Sequence, residues 1–184
     1  RKWILDDLIA AGNLIVIAGD GGTKKTWLLL SIAICLTSGQ NWAGLSVSGP
    51  IRTLYVDEEL GLDFLEERIT KTIRGYDLDP NSIGFYYTSF EGFDLTEPKG
   101  QERFEDLINR QEPDLVIIDA LIDVMSGKEE NAAKDTHPVM KFLNRLAKKS
   151  GAAIIVIHHT TKNGNVRGSS AIPDEADSVF LVTS

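Results

Sequence analysis

Residues 17–26 read IAGDGGTKKT, and the reading of this stretch decides the fold. An apolar run, LIVIA at 14–18, leads into it, and a second, WLLLSIAICL at 27–36, follows it. A strand, a glycine-rich turn and a helix in that order gather backbone N–H groups around a phosphate and add the positive end of the helix dipole. In the pattern G-x-x-x-x-G-K-[ST], Gly19 takes the first place, Lys25 is the lysine that reaches the β and γ phosphates, and Thr26 is the hydroxyl that meets magnesium. Asp20, Gly21, Gly22, Thr23 and Lys24 make up the turn between them. Lys24 stands where the last glycine belongs. If that position needs positive φ, a lysine there costs about 1–2 kcal/mol. Its ammonium either adds charge near the phosphates or points to solvent.

Working outward, apolar runs of strand length alternate with stretches of helical period. After a helix over Lys25 to Thr37, TLYVD (53–57) reads as a strand, and Leu62, Leu65, Ile69 and Ile73 recur at helical spacing to about Arg74. GFYYTS (84–89) is the next strand. The Gly/Pro-containing segment EGFDLTEPKG then leads to a helix around Phe104, Leu107 and Ile108. LVIID (115–119) is a buried strand, SGKEENAAKD (126–135) a mobile loop, and Val139, Phe142, Leu143 and Leu146 mark another helix. AAIIVIH (152–158) and SVFLVT (178–183) complete the strands. Continuous apolar strands alternating with helices make an α/β fold, with a largely parallel central sheet and helices on both faces.

Three strand ends carry chemistry. Asp119 ends LVIID, at the sheet edge where such folds place ligands; it either holds a magnesium ion beside Thr26 or merely caps a turn. YVDEE places Asp57, Glu58 and Glu59 at the same edge. One of the glutamates there polarises an attacking water, or all are solvated acids of a first helical turn. VIHHTTK ends a further strand with His158 and His159, which suit a γ-phosphate contact or a strand cap. Two adjacent histidines without further ligands at metal spacing do not suggest zinc. His137, beside Pro138, reads as structural.

Composition narrows the class. The 184 residues, 42% hydrophobic and 25% charged, suit a single globular domain. A net charge of −8 argues against a broad duplex-gripping surface, although local cations in a channel stay open. The lone Cys35 lies in an apolar run too short to span a membrane, which points to a buried thiol in a reducing cytoplasm. A start at Arg1 instead of methionine suggests an excerpt from a longer chain.

The phosphate loop, the glutamate after the second strand, LVIIDAL, VIHHTTK and RGSSAIPDEADSVFLV together resemble the RecA-type P-loop ATPases. Within them the set is most similar to the group of the RepA hexameric replicative helicase, whose members are also described as AAA-domain ATPases. The resemblance covers nearly the whole chain and implies ATP and Mg2+ as ligands. It makes residues 19–26 the nucleotide loop, Thr26 and Asp119 the magnesium side, Glu59 the general base with Glu58 in reserve, and His159 the γ-phosphate sensor. Arg167 matches a family arginine that reaches either a neighbouring subunit's nucleotide or a group at home. It further implies a hexameric ring acting on single-stranded DNA, with Lys128, Lys162 and Arg167 lining its channel. A regulatory switch without translocation is the alternative, because neither channel segment holds an aromatic for base stacking.

These readings predict that Lys25→Ala abolishes nucleotide binding or turnover while Lys24→Gly leaves both intact, as measured by titration of ATP and by phosphate release. Equal loss from both substitutions would contradict the assignment of the loop.

Overall fold

The computed structural model describes residues 2–127, 133–160 and 171–183. A small hairpin opens the chain, β1 (Trp3–Leu5) antiparallel to β2 (Ile9–Ala10). The main body follows as β3 (Leu14–Gly19), α1 (Lys25–Ser38), β4 (Thr53–Asp57), α2 (Leu62–Gly75), β5 (Phe85–Ser89), α3 (Pro98–Gln111), β6 (Leu115–Asp119), α4 (Ala133–Ser150), β7 (Ala153–His159), α5 (Ala171–Glu175) and β8 (Ser178–Leu181). Six of these strands form one sheet in the order β5-β4-β6-β7-β3-β8, and every pairing in it is parallel.

The central strands are apolar throughout because both faces are covered, and residue parity sends each side chain to one of two cores. Val16, Ala18, Val56, Val116, Ile118 and Val156 pack under α3 and α4, against Phe104, Phe142 and Leu146. Ile15, Ile17, Tyr55, Ile117, Ile155 and Ile157 pack under α1 and α2, against Leu29, Leu65 and Ile69. α1 is apolar around most of its circumference and is accordingly buried from Leu29 to Thr37 except at Ser31. Among the described residues, no helix is long and apolar enough to cross a membrane.

Strand register decides where the polar side chains collect. Gly19 pairs with His159, Asp57 with Asp119, and Asp57 again with Ser89. The strands therefore finish together, and their last side chains gather along one edge.

Two segments read as loop or connection are partly helical instead. Of the polar stretch expected as a loop at 126–135, Ala133 to Asp135 already belong to α4. Likewise α3 begins at Pro98, inside the segment read as a connection. Proline suits a first helical position, where its missing N–H has no partner to lose. Gly100, in the same turn, is required by close approach: a Cβ there would sit 1.8 Å from the Asp94 carbonyl oxygen.

Gly100→Ala, which helix propensity alone would favour by about 1 kcal/mol, is therefore expected to lower the melting temperature by several degrees. An unchanged or raised melting temperature would show that the 94–100 turn yields freely.

Candidate active site

The phosphate loop hangs between the end of β3 and the start of α1. Gly19 has no room for a side chain, since a Cβ would lie 2.5 Å from the Val182 carbonyl oxygen on β8's continuation. Lys24 takes φ 61° and ψ 29°, the left-handed conformation that makes glycine the usual occupant, so the penalty anticipated from the sequence is present. Its side chain is exposed and lines the cleft above the loop. Lys24 also caps α1 without a side-chain hydrogen bond, and the helix has no acidic residue in its first turn. Its N-terminal N–H groups thus face the cleft without an anionic side chain from that turn.

Lys25 is 4% exposed. Its ammonium donates to the carbonyl oxygens of Gly19 and Asp20, both at 2.8 Å, and to Thr23 Oγ1 at 3.3 Å. Burial pulls its pKa below the ordinary lysine value, while the carboxylates of Asp119, Glu59 and Asp20 push it back up. The loop is fastened from outside as well. Thr160, just beyond β7, donates its hydroxyl to Asp20 Oδ1 at 2.5 Å and its N–H to Gly19 O at 3.1 Å.

Asp119 is fully buried at the end of β6. Its Oδ2 accepts two hydroxyls, from Thr26 at 2.8 Å and Tyr55 at 2.7 Å. Its Oδ1 is buried and has no hydrogen-bond partner among the described residues. Burial drives the carboxyl pKa up to about 6, opposed by the Tyr55 and Thr26 hydroxyls and reinforced by the neighbouring Glu59 carboxylate.

The two glutamates after β4 part company. Glu59 lines the cleft with Lys25, Thr26 and His159, and its Oε2 lies 3.4 Å from His159 Nε2. Glu58 turns toward the 91–93 backbone, where Oε2 accepts from Gly92 N–H at 3.1 Å. Burial raises its pKa against the opposing backbone N–H groups of Gly92, Phe93 and Glu91. Asp57 organises this divergence. Its carboxylate accepts the N–H groups of Glu59, Leu60 and Gly61 and the hydroxyl of Ser89. The histidines separate for a simpler reason. Successive residues of β7 face opposite ways, so His159 reaches the cleft while His158 is buried.

The cleft encloses about 250 Å³ and has Trp27 and Arg68 along its wall, the guanidinium carbon of Arg68 5.3 Å from the centre of the indole ring. Sequence reasoning singled out neither residue, nor Tyr55, Asp57 and Thr160 in the roles they take. A cleft of about 600 Å³ between β5 and α3 is larger, but none of its lining residues comes from the phosphate loop or from β6 and β7. Arg167, Lys128 and Lys162 lie outside the described residues.

The donor set suits a hydrated magnesium ion. Asp119 Oδ1 is an unsatisfied hard oxygen beside the Thr26 hydroxyl. Among the described residues, no group of three or more His, Cys, Asp or Glu side chains is placed to hold a metal. One carboxylate and one hydroxyl, completed by water and substrate phosphates, is how magnesium is usually held.

The family model described as AAA domain matches residues 1–165. The DNA repair protein RadA of Halalkalibacterium halodurans is 27% identical over 181 residues, covering 96% of this chain and 34% of RadA. The protein of the same name from Streptococcus pneumoniae is 26% identical over 180 residues, 96% of this chain and 37% of that protein. The chain thus spans about a third of the length of these curated relatives. Among solved structures, the crystal structure of the RadB recombinase superposes with a TM-score of 0.65 at 17% identity, covering 94% of this chain and 75% of that one. That likeness establishes the RecA-like α/β P-loop fold.

Asp119 also offers a test in the nucleotide-free, metal-free protein. Its folded-state pKa is raised from 3.8 to about 6, so its contribution to stability is complete below about pH 4 and is lost as the pH rises through 6. Asp119→Asn removes the penalised charge and is expected to stabilise the protein at pH 7.5 by on the order of 1–2 kcal/mol. In thermal melts this advantage should shrink toward pH 4. A variant less stable than the wild type at pH 7.5 would contradict the assigned penalty.

Proposed function

Because the chain belongs to the AAA domain family, we propose that it binds ATP with Mg2+ in this cleft and hydrolyses it. The observation that carries this reading is the convergence of Lys25, Thr26, Glu59 and His159 on one cleft, with Asp119 bonded to Thr26 behind it. The choice of ATP over GTP rests on the resemblance to RecA-type ATPases, since no base-selecting motif is present. The flat Trp27–Arg68 pair has the chemistry on which a nucleobase stacks.

Each side chain has a task. Lys25 exchanges the carbonyls of Gly19 and Asp20 for the β and γ phosphates, and the free N–H groups at the start of α1 receive phosphate oxygens. Thr26 and Asp119 hold the magnesium ion, which neutralises charge on the phosphates when bound. Glu59 accepts the proton of the attacking water, and the Asp57 turn holds Glu59 at the cleft. His159, close to Glu59, contacts the γ-phosphate and reports its departure to the segment after β7. Glu58, bonded to the 92 backbone, holds that neighbouring loop and is the reserve base only if it swings free.

The names of the relatives point to DNA repair and recombination as the setting; the resemblance to RecA-type ATPases adds single-stranded DNA as the polymer and a hexameric ring as the working form, and the sequence reading places it in the cytoplasm. The replicative-helicase role implied by the RepA resemblance uses the same chemistry. An assembly switch without translocation is the second reading, favoured by the net charge of −8 and by the absence of aromatics in residues 120–135 and 160–172.

Phosphate release from ATP and Mg2+, with and without single-stranded DNA and with Lys25→Ala as the blank, decides among these. Glu59→Gln should slow release by about a hundredfold or more and spare ATP binding, whereas Glu58→Gln should retain most activity. Stimulation by DNA supports the motor, and turnover without stimulation supports the switch. No release above the blank would overturn the ATPase reading for this chain.

A further inference from the structure

We infer that Tyr55 is a positioning residue that aims the Asp119 carboxylate, so that Oδ1 is presented to the metal of a nucleotide complex. The inference rests on the reading of the cleft as a magnesium–nucleotide site and names a residue that this reading does not otherwise use.

The sheet register makes the contact. Tyr55 on β4 pairs with Ile117 on β6. Its phenol therefore extends across one strand and forward by two residues, roughly 6.5 Å of strand rise, to meet Asp119. Only a long, stiff side chain with a terminal donor spans that offset. Tyr55 is fully buried, with Phe85 tilted against it at 6.3 Å between ring centres. The ring has little freedom to follow a ligand.

The two hydroxyls on Oδ2 differ in what they do on loading. Thr26 is itself committed to the metal in the proposed site, so its bond to Asp119 is open to exchange. Tyr55 is sealed inside the sheet, and its O–H has Asp119 Oδ2 as its acceptor. One oxygen of Asp119 is thereby pinned from beneath while the other, Oδ1, is left without a partner among the described residues. A buried carboxylate free to rotate would instead share both oxygens among the donors around it. Partners that orient a metal-binding carboxylate in this way commonly set metal affinity.

The test is titration of a fluorescent ATP analogue into wild type, Tyr55→Phe and Thr26→Ala, once in EDTA and once across Mg2+ concentrations. Tyr55→Phe keeps the ring and deletes one oxygen, and an analogue affinity in EDTA equal to that of wild type shows that the fold and the phosphate loop survive. The expected result is that the Mg2+ concentration needed to tighten binding rises about tenfold in Tyr55→Phe, with the EDTA affinity unchanged. If Thr26→Ala loses the Mg2+ effect while Tyr55→Phe matches wild type, the role of Tyr55 is overturned and the site reading stands. If Thr26→Ala also matches wild type, the magnesium reading of the cleft fails, and this inference fails with it. Loss of EDTA binding or of the folded state in Tyr55→Phe would assign the hydroxyl to stability and overturn the inference.

Discussion

The parallel register of the central sheet is the constraint on which everything else hangs. Because β3, β7, β6, β4 and β5 all run one way and pair without a slip, Gly19, His159, Asp119, Asp57 and Ser89 arrive at one edge. A shift of one residue in any of these strands would turn its terminal side chain to the other face of the sheet. The separation of His158 from His159 shows the rule at the scale of a single residue. Burial on both faces keeps the register from slipping, because each shifted residue would exchange one well-packed core for the other.

What the edge collects is an excess of negative charge. Asp20, Asp57, Glu58, Glu59 and Asp119 converge there, and in the cleft itself Lys25 and Arg68 answer them alongside the exposed Lys24. Each acid is handled differently. Asp57 is saturated by three backbone N–H groups and a serine hydroxyl, Glu58 is tied to the Gly92 N–H, and Asp20 is bonded by Thr160. Glu58 Oε1 and Asp119 Oδ1 are both buried without a hydrogen-bond partner among the described residues, and burial raises the pKa of each. Carboxylate oxygens buried short of partners cost stability, and a cation bound beside them would offset that cost.

The sequence made the strands legible because doubly buried parallel strands are continuous apolar runs, and the phosphate loop legible because its chemistry is local. Lys25, Thr26 and Asp119 could be picked out as candidates for the same reason: each sits at a strand end or a helix start. The cross-strand partnerships were not legible. Tyr55 and Asp119 are 64 positions apart and Asp20 and Thr160 are 140 apart, so neither bond leaves a periodic trace. In a buried strand, a tyrosine reads as core until the register shows what its hydroxyl meets. From the residues alone, adjacent Glu58 and Glu59 could not be told apart, and only the family resemblance favoured Glu59, because the Asp57 turn decides which one faces the cleft. Trp27 and Arg68 meet only through the packing of α1 against α2. The start of α3 was hidden because proline and glycine, which usually punctuate loops, here occupy a first helical turn.

The bare start of α1 carries a last consequence. With Lys24 strained as its cap and no acid in its first turn, the helix keeps its positive end in reserve. An anion seated there completes the helix as well as occupying a site, and binding restricted to the folded chain raises stability logarithmically with ligand concentration. A ligand seated there would therefore make the melting temperature of the chain depend on ligand concentration, with the helix start as the point where occupancy and stability are coupled.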